Sequence, residues 1–153
     1  MENISKHITY NEAIKSNTAL ILGINNEPNE TELKKMVLLA NNVFEPLRKW
    51  YGKPILISSF FRCERLNSKI LGSKNSQHTK GEAMDIQDFK AKSENAKLFF
   101  YIKDNLDFDQ LIWEFGNDKN PSWVHVSYSG TKNRKQVLRA VKNNGKTKYI
   151  NFL

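Results

Sequence analysis

Two short segments of this 153-residue chain hold metal-binding and proton-moving side chains at spacings where a strand would bring them together. The first reads Ser76-Gln77-His78-Thr79-Lys80-Gly81-Glu82-Ala83-Met84-Asp85-Ile86. Gly81 allows a backbone turn that other residues resist, and a short strand after it puts Ala83 and Asp85 on one face, Met84 and Ile86 on the other. A histidine before the turn and an aspartate after it can then converge. The second segment, Trp123-Val124-His125-Val126-Ser127-Tyr128, alternates so that Val124 and Val126 face a core while Trp123, His125 and Ser127 face the opposite side. Two imidazoles and one carboxylate suffice for a catalytic zinc, which keeps a position open for water and lowers that water's pKa to about 7. Closed structural sites usually use thiolates, and the only cysteine is Cys63. On spacing alone, such His and Asp residues are more often surface or hydrogen-bonded core groups.

The elements that must position these residues are legible in outline. From Thr31, apolar residues recur at Leu33, Met36, Val37, Ala40, Val43, Phe44 and Leu47, the period of an amphipathic helix. Asn29 or Thr31 would cap it, Gly52 would close it, and Pro46 predicts a kink or break near Glu45. Ile55–Ser59 reads as a strand entering an irregular segment at Phe60-Phe61-Arg62-Cys63. Ser93 and Glu94 open a second helix through Leu98, Phe99 and Ile102. Residues 108–115 and 123–128 read as paired strands. Residues 137–141 and 147–152, joined through Asn143-Asn144-Gly145, carry the strongest short hairpin signal. Helices first and antiparallel strands later predict an α+β fold, an antiparallel sheet flanked by N-terminal helices.

Length and composition fit one domain over residues 1–153 and exclude disorder, collagen and coiled coil: 39% of residues are hydrophobic and 26% charged. The formal charge of +8 is unevenly placed. Residues 129–153 hold Lys132, Arg134, Lys135, Arg139, Lys142, Lys146 and Lys148 and no acid, which leaves the rest of the chain near neutral. This basic C-terminal hairpin is expected to lie outside the site, and its charge suits nucleic acid, an anionic cell-wall polymer or a membrane surface alike. It lacks the aromatic interleaving of single-strand binders, so nucleic acid is not the expected partner. The polar start, Met1 to His7, lacks a signal-peptide pattern and no window is apolar enough to span a membrane, so synthesis in a cytoplasm is expected.

His78-x-x-Gly81-x-Ala83-x-Asp85, followed about 40 residues later by Trp123-Val124-His125-Val126-Ser127, resembles the D-Ala-D-Ala carboxypeptidase family of zinc metallopeptidases. That family also includes vancomycin-resistance dipeptidases and phage L-alanyl-D-glutamate endopeptidases. The similarity extends to Ser58-Ser59-Phe60-Phe61-Arg62, to Leu66-Asn67 and Gly72, and to Phe108-Asp109-Gln110-Leu111-Ile112, most of residues 8–130, and is greatest to compact phage-type members. It implies a hedgehog/DD-peptidase-like fold, one zinc ion held by His78, Asp85 and His125, and hydrolysis of peptidoglycan stem peptides. It further implies that Arg62 faces the scissile carbonyl or a substrate carboxylate, that Ser76 and Gln77 line the substrate groove, and that Trp123 supports His125 or packs on the peptide. A monomer acting on the cell wall after holin-type release, as a phage or prophage endolysin, is the setting this resemblance suggests.

One position departs from the family pattern. Better-known members carry an acid three residues before the last zinc histidine, where this chain has Ser122, and a serine cannot take a proton from water at neutral pH. Glu114 is the expected general base, because Phe108, Gln110, Ile112 and Glu114 share one face of a strand antiparallel to the one bearing His125. Asp118 and Asp109 are second choices. Ser122 keeps an alternative alive, a non-catalytic zinc-binding wall-recognition domain on the same fold. Cys63 reads as a small buried residue, and His7 as a surface or locally hydrogen-bonded one.

Overall fold

The computed structural model describes residues 3–90 and 92–153; Met1 and Glu2, the beginning of the polar start, and Ala91 lie outside the described residues. A small ribbon, β1 (Asn3–Ser5) with β2 (Ile8–Thr9), leads into two short helices, α1 (Tyr10–Ile14) and α2 (Asn17–Leu22). The amphipathic run then begins at α3 (Glu30–Leu39) on a reciprocal capping box: Glu32 N donates to Asn29 Oδ1 and Asn29 N to Glu32 Oε2, each at 2.8 Å. The expected break at Pro46 is instead absorbed by one π-helical stretch, Ala40–Phe44, where Glu45 N reaches back five residues to Ala40 O. The helix resumes as α4 (Glu45–Tyr51), with Pro46 in its first turn, where no N–H is needed, and ends at Gly52.

Six strands form the main sheet: β3 (Ile55–Ser59), β4 (Ala83–Asp88), β5 (Gln110–Glu114), β6 (Trp123–Ser127), β7 (Gln136–Asn143) and β8 (Lys146–Asn151), in spatial order β3-β4-β6-β5-β7-β8. The expected antiparallel sheet is therefore a mixed one, because β7 pairs parallel to β5. The reason is topological. β6 ends beside the start of β5, and residues 128–135 carry the chain across that same end, so the next strand must run in the direction of β5. Backbone bonds from Lys135 N to Phe108 O (3.2 Å) and Gln136 N to Asp109 O (3.0 Å) fix the crossing. The β7–β8 hairpin thus continues the main sheet, its turn made by Asn144 and Gly145 with φ of 52° and 77°, both positive as a type I′ turn requires.

β5 is shorter than expected because Phe115, at φ 56°, turns the chain away after Glu114. The second long helix, α6 (Asn95–Asn105), receives no cap from Ser93; Ala96 N donates instead to Asn120 Oδ1 at 2.8 Å. α3, α4 and α6 cover one face of the sheet. Met36, Leu39, Leu47, Leu98, Phe99 and Ile102 meet Met84, Ile86, Leu111, Trp113, Val124 and Val126 there, all buried. Each such side chain contributes about 1.5–3 kcal/mol by leaving water. Strand alternation then leaves Asp85, His125, Ile112, Glu114 and Leu138 on the other, helix-free face.

Candidate metal centre and cleft

β4 and β6 pair with Asp85 directly opposite His125. His78 reaches the same spot from a 3₁₀ turn, Gln77–Lys80, preceded by α5 (Glu64–Lys69) and its loop. Ser76 Oγ accepts from His78 N at 3.3 Å and so caps this turn. Gly81 ends it at φ 76°, where a Cβ would lie 2.4 Å from Glu32 O, so only glycine lets the loop nest against α3. A β-bulge between Ile57 and Ser59 bends β3 at the cleft edge and leads into Phe60.

Three nitrogen and oxygen atoms converge. His78 Nε2 lies 3.3 Å and His125 Nδ1 3.0 Å from Asp85 Oδ1, and the ligand atoms of all three lie within 4.8 Å of one another. His78 Nδ1 stands 2.8 Å from Phe60 O, a contact that requires the proton on Nδ1 and leaves Nε2 with a free lone pair. That Nε2 is buried without a hydrogen-bond partner. Burial lowers the pKa of His78, with His125 and Arg62 acting in the same direction and Asp85 opposing, so the ring is neutral, the form that ligates. Burial also disfavours Asp85 ionisation, but the hydrogen bond from the His125 ring at 3.0 Å favours the carboxylate and keeps the carboxyl below its usual range. A neutral imidazole with an unspent lone pair, an ionised carboxylate and a second imidazole form a donor set that fits zinc.

Glu114 lies one strand from His125, in the pair Glu114↔Trp123, and is only 7% exposed. Among the described residues its carboxylate makes no hydrogen bond or ion pair. Burial raises its pKa to about 7; Asp85 adds to this, while His125 and Arg62 pull it down. Arg62 enters the cleft with Nε buried and unpartnered, and among the described residues it pairs with no acid; Glu82 is taken by Lys35 at 3.4 Å. Trp123 packs edge-on against Phe115, ring centroids 5.4 Å apart, and its buried Nε1 has no partner. Ser76 and Gln77 do line the cleft, Gln77 fixed by a 3.0 Å bond from Nε2 to Asp109 Oδ2.

The two alternative bases sit elsewhere. Asp118 is a 91% exposed carboxylate paired with Arg139 at 2.7 Å. Asp109 is buried and committed: Arg134 donates through Nε (3.0 Å), Nη2 (2.8 Å) and its backbone N (3.0 Å), in addition to Gln77. Ser122 is exposed and donates its backbone N to Glu114 O at 2.9 Å. Cys63 caps α5, its Sγ accepting from Leu66 N at 3.4 Å, and His7 bonds Glu45 at 2.7 Å.

The expectation that the basic hairpin stands apart from the site is corrected. A cleft of about 710 Å³ holds His78, Asp85, His125 and Glu114, and its far wall is built by Leu138, Lys142, Thr147 and Tyr149. The hairpin was readable from its turn, but the strand it would join was not. A second depression of about 830 Å³ meets the first at Arg62, Asp85 and Trp123 and runs on between residues 15–18 and 116–122.

A family model described as Peptidase M15 matches residues 6–127, and no curated protein matches the chain.

Proposed function

Because the chain belongs to the peptidase M15 family, we propose that it is a zinc-dependent peptidase that cleaves stem peptides of peptidoglycan. The observation that carries this is the buried, unpartnered Nε2 of His78 beside Asp85 and His125, next to a buried carboxylate, Glu114, with no protein partner among the described residues. A zinc ion held by His78, Asp85 and His125 would supply Lewis-acid polarisation of the scissile carbonyl and of the attacking water.

The chain's own residues do the rest. Glu114 receives the proton of the attacking water on its carboxylate and returns it to the leaving amine nitrogen, a task suited to a group titrating near neutral pH. Arg62, which lines both depressions, donates from its guanidinium to the carbonyl oxygen as charge develops there. Trp123 and Phe115 form an apolar wall that limits water around Glu114. The two depressions, meeting at Arg62, Asp85 and Trp123, leave room on both sides of the scissile bond, which favours an endopeptidase of the L-Ala-D-Glu type over a carboxypeptidase. No helix among the described residues is long and apolar enough to cross a membrane. Action on the wall as a phage-type lysis enzyme remains part of this proposal and rests on the resemblance alone.

Ser122 at the position of the family's usual base favours one competing reading, a zinc-binding domain that recognises wall peptides without cutting them. Zinc titration with assay of amines released from purified sacculi separates the two. One equivalent bound with hydrolysis, and both lost in His125→Ala, is expected; full activity in His125→Ala or no metal uptake would overturn the enzyme reading. Release of peptides rather than free alanine identifies the endopeptidase.

A further inference from the structure

β7 and β8 extend the helix-free face of the sheet beyond Glu114. Pairing aligns Trp123, Glu114, Ala140 and Tyr149 in one transverse row across β6, β5, β7 and β8. Side chains in such a row share a face, and between Glu114 and Tyr149 stands only the methyl of Ala140, itself fully buried. A larger residue at 140 would fill the space between them; alanine leaves the phenol free to lie over β7 on the Glu114 side. Tyr149 lines the same cleft as Arg62, Glu114 and His125. Among the described residues its hydroxyl makes no hydrogen bond. The residue is 54% exposed; its partial burial, then the carboxylates of Glu114 and Asp85, raise the phenol pKa, with Arg62 opposing, so the group is a protonated donor at neutral pH. Next to it Lys142 donates to Thr147 Oγ1 at 3.1 Å and lies 5.2 Å over the Phe115 ring, so the ammonium that borders the phenol is already held in place.

We propose that Tyr149 is a substrate-binding residue, its phenolic O–H donating to a backbone carbonyl oxygen of the peptide beside the scissile bond. The inference rests on the peptidase reading and assigns the opposite wall of the cleft, in a hairpin beyond the residues that the family model covers. Arg62 and Tyr149 then grip the peptide from two sides, with Glu114 between them.

The test is steady-state hydrolysis of a soluble stem peptide by zinc-loaded wild type, Tyr149→Phe and Lys148→Ala, with metal content and melting temperature measured on each. Tyr149→Phe keeps the ring and removes only the donor. It is expected to lower kcat/KM roughly 10-fold, mainly through KM, with zinc content and melting unchanged. Lys148, one residue away on the opposite face of β8, is expected to be silent. Wild-type constants in Tyr149→Phe, or a loss confined to kcat, would overturn the proposal while leaving the peptidase reading intact. A zinc-loaded wild type that cleaves nothing would overturn both.

Discussion

Replacing Glu114 by Gln tests the site through stability as well as through catalysis. The folded chain holds this carboxyl at a pKa of about 7, against an ordinary value of 4.5, because it is buried beside Asp85. That gap of about 2.5 pH units, at about 1.4 kcal/mol each, makes ionised Glu114 cost the metal-free fold about 3 kcal/mol. Below about pH 4.5 the group is protonated folded or unfolded, and nothing is lost. As the pH rises through 7 the unfolded chain gives up the proton first, so the fold is progressively penalised, fully so above 7. An amide never ionises. Urea unfolding of zinc-stripped wild type and Glu114→Gln at roughly pH 4, 6 and 8 is expected to show a difference that grows by about 3 kcal/mol in favour of the variant. Asp85 and His78 also titrate against these conditions, but they are common to both proteins and cancel in the difference. Saturating zinc, a nearby dication that favours the carboxylate, is expected to shrink the gap. With zinc bound, the same variant is expected to lose roughly 100-fold or more in kcat while keeping its metal. A difference flat with pH, or turnover retained, would refute the placement of Glu114 as a buried base. The stability given up to keep an unpartnered carboxyl in the cleft is the signature of a functional group.

Asp109→Ala removes the acceptor shared by Arg134 and Gln77. Urea unfolding is expected to show a loss of about 2–3 kcal/mol, and an unchanged midpoint would show that the pair contributes nothing. Neutralising Lys146 and Lys148 to Gln, both exposed and remote from the ligands, is expected to weaken action on whole sacculi in a salt-dependent way and spare a small soluble peptide. Equal loss on both substrates would count against wall docking by the hairpin.

The convergence of His78, Asp85 and His125 could be read from the sequence because each sits at a position whose side-chain direction is locally determined. Alternation in β4 and β6 aims Asp85 and His125, and a turn at Gly81 returns His78 to them. The helix of residues 30–51 was equally readable, since its apolar stripe survives the π-helical stretch. What stayed hidden depended on pairing between distant segments. The hairpin of residues 136–151 announces itself through Asn144-Gly145, but its docking parallel to β5 follows from the crossing of residues 128–135, held in part by Arg134 on Asp109, a contact 25 residues apart in sequence. For the same reason nothing in the sequence of residues 129–153 shows that Arg134 is tied to the buried Asp109, or that Lys142 and Tyr149 face the cleft. α1 and α2, of five and six residues, are too short to show a period.

The parallel docking of β7 also divides the site between two stretches of the chain. A chain made from its N-terminus possesses all three metal ligands and Glu114 once residue 125 has been added, yet at that stage β5 has a neighbour on one side only and its proton-transfer group faces open water. The pocket becomes enclosed when the last two strands zip onto β5 and Asp109 closes its grip on Arg134. If the chain is the zinc peptidase proposed above, a molecule ending after β6 is expected to bind metal and to lose hydrolysis.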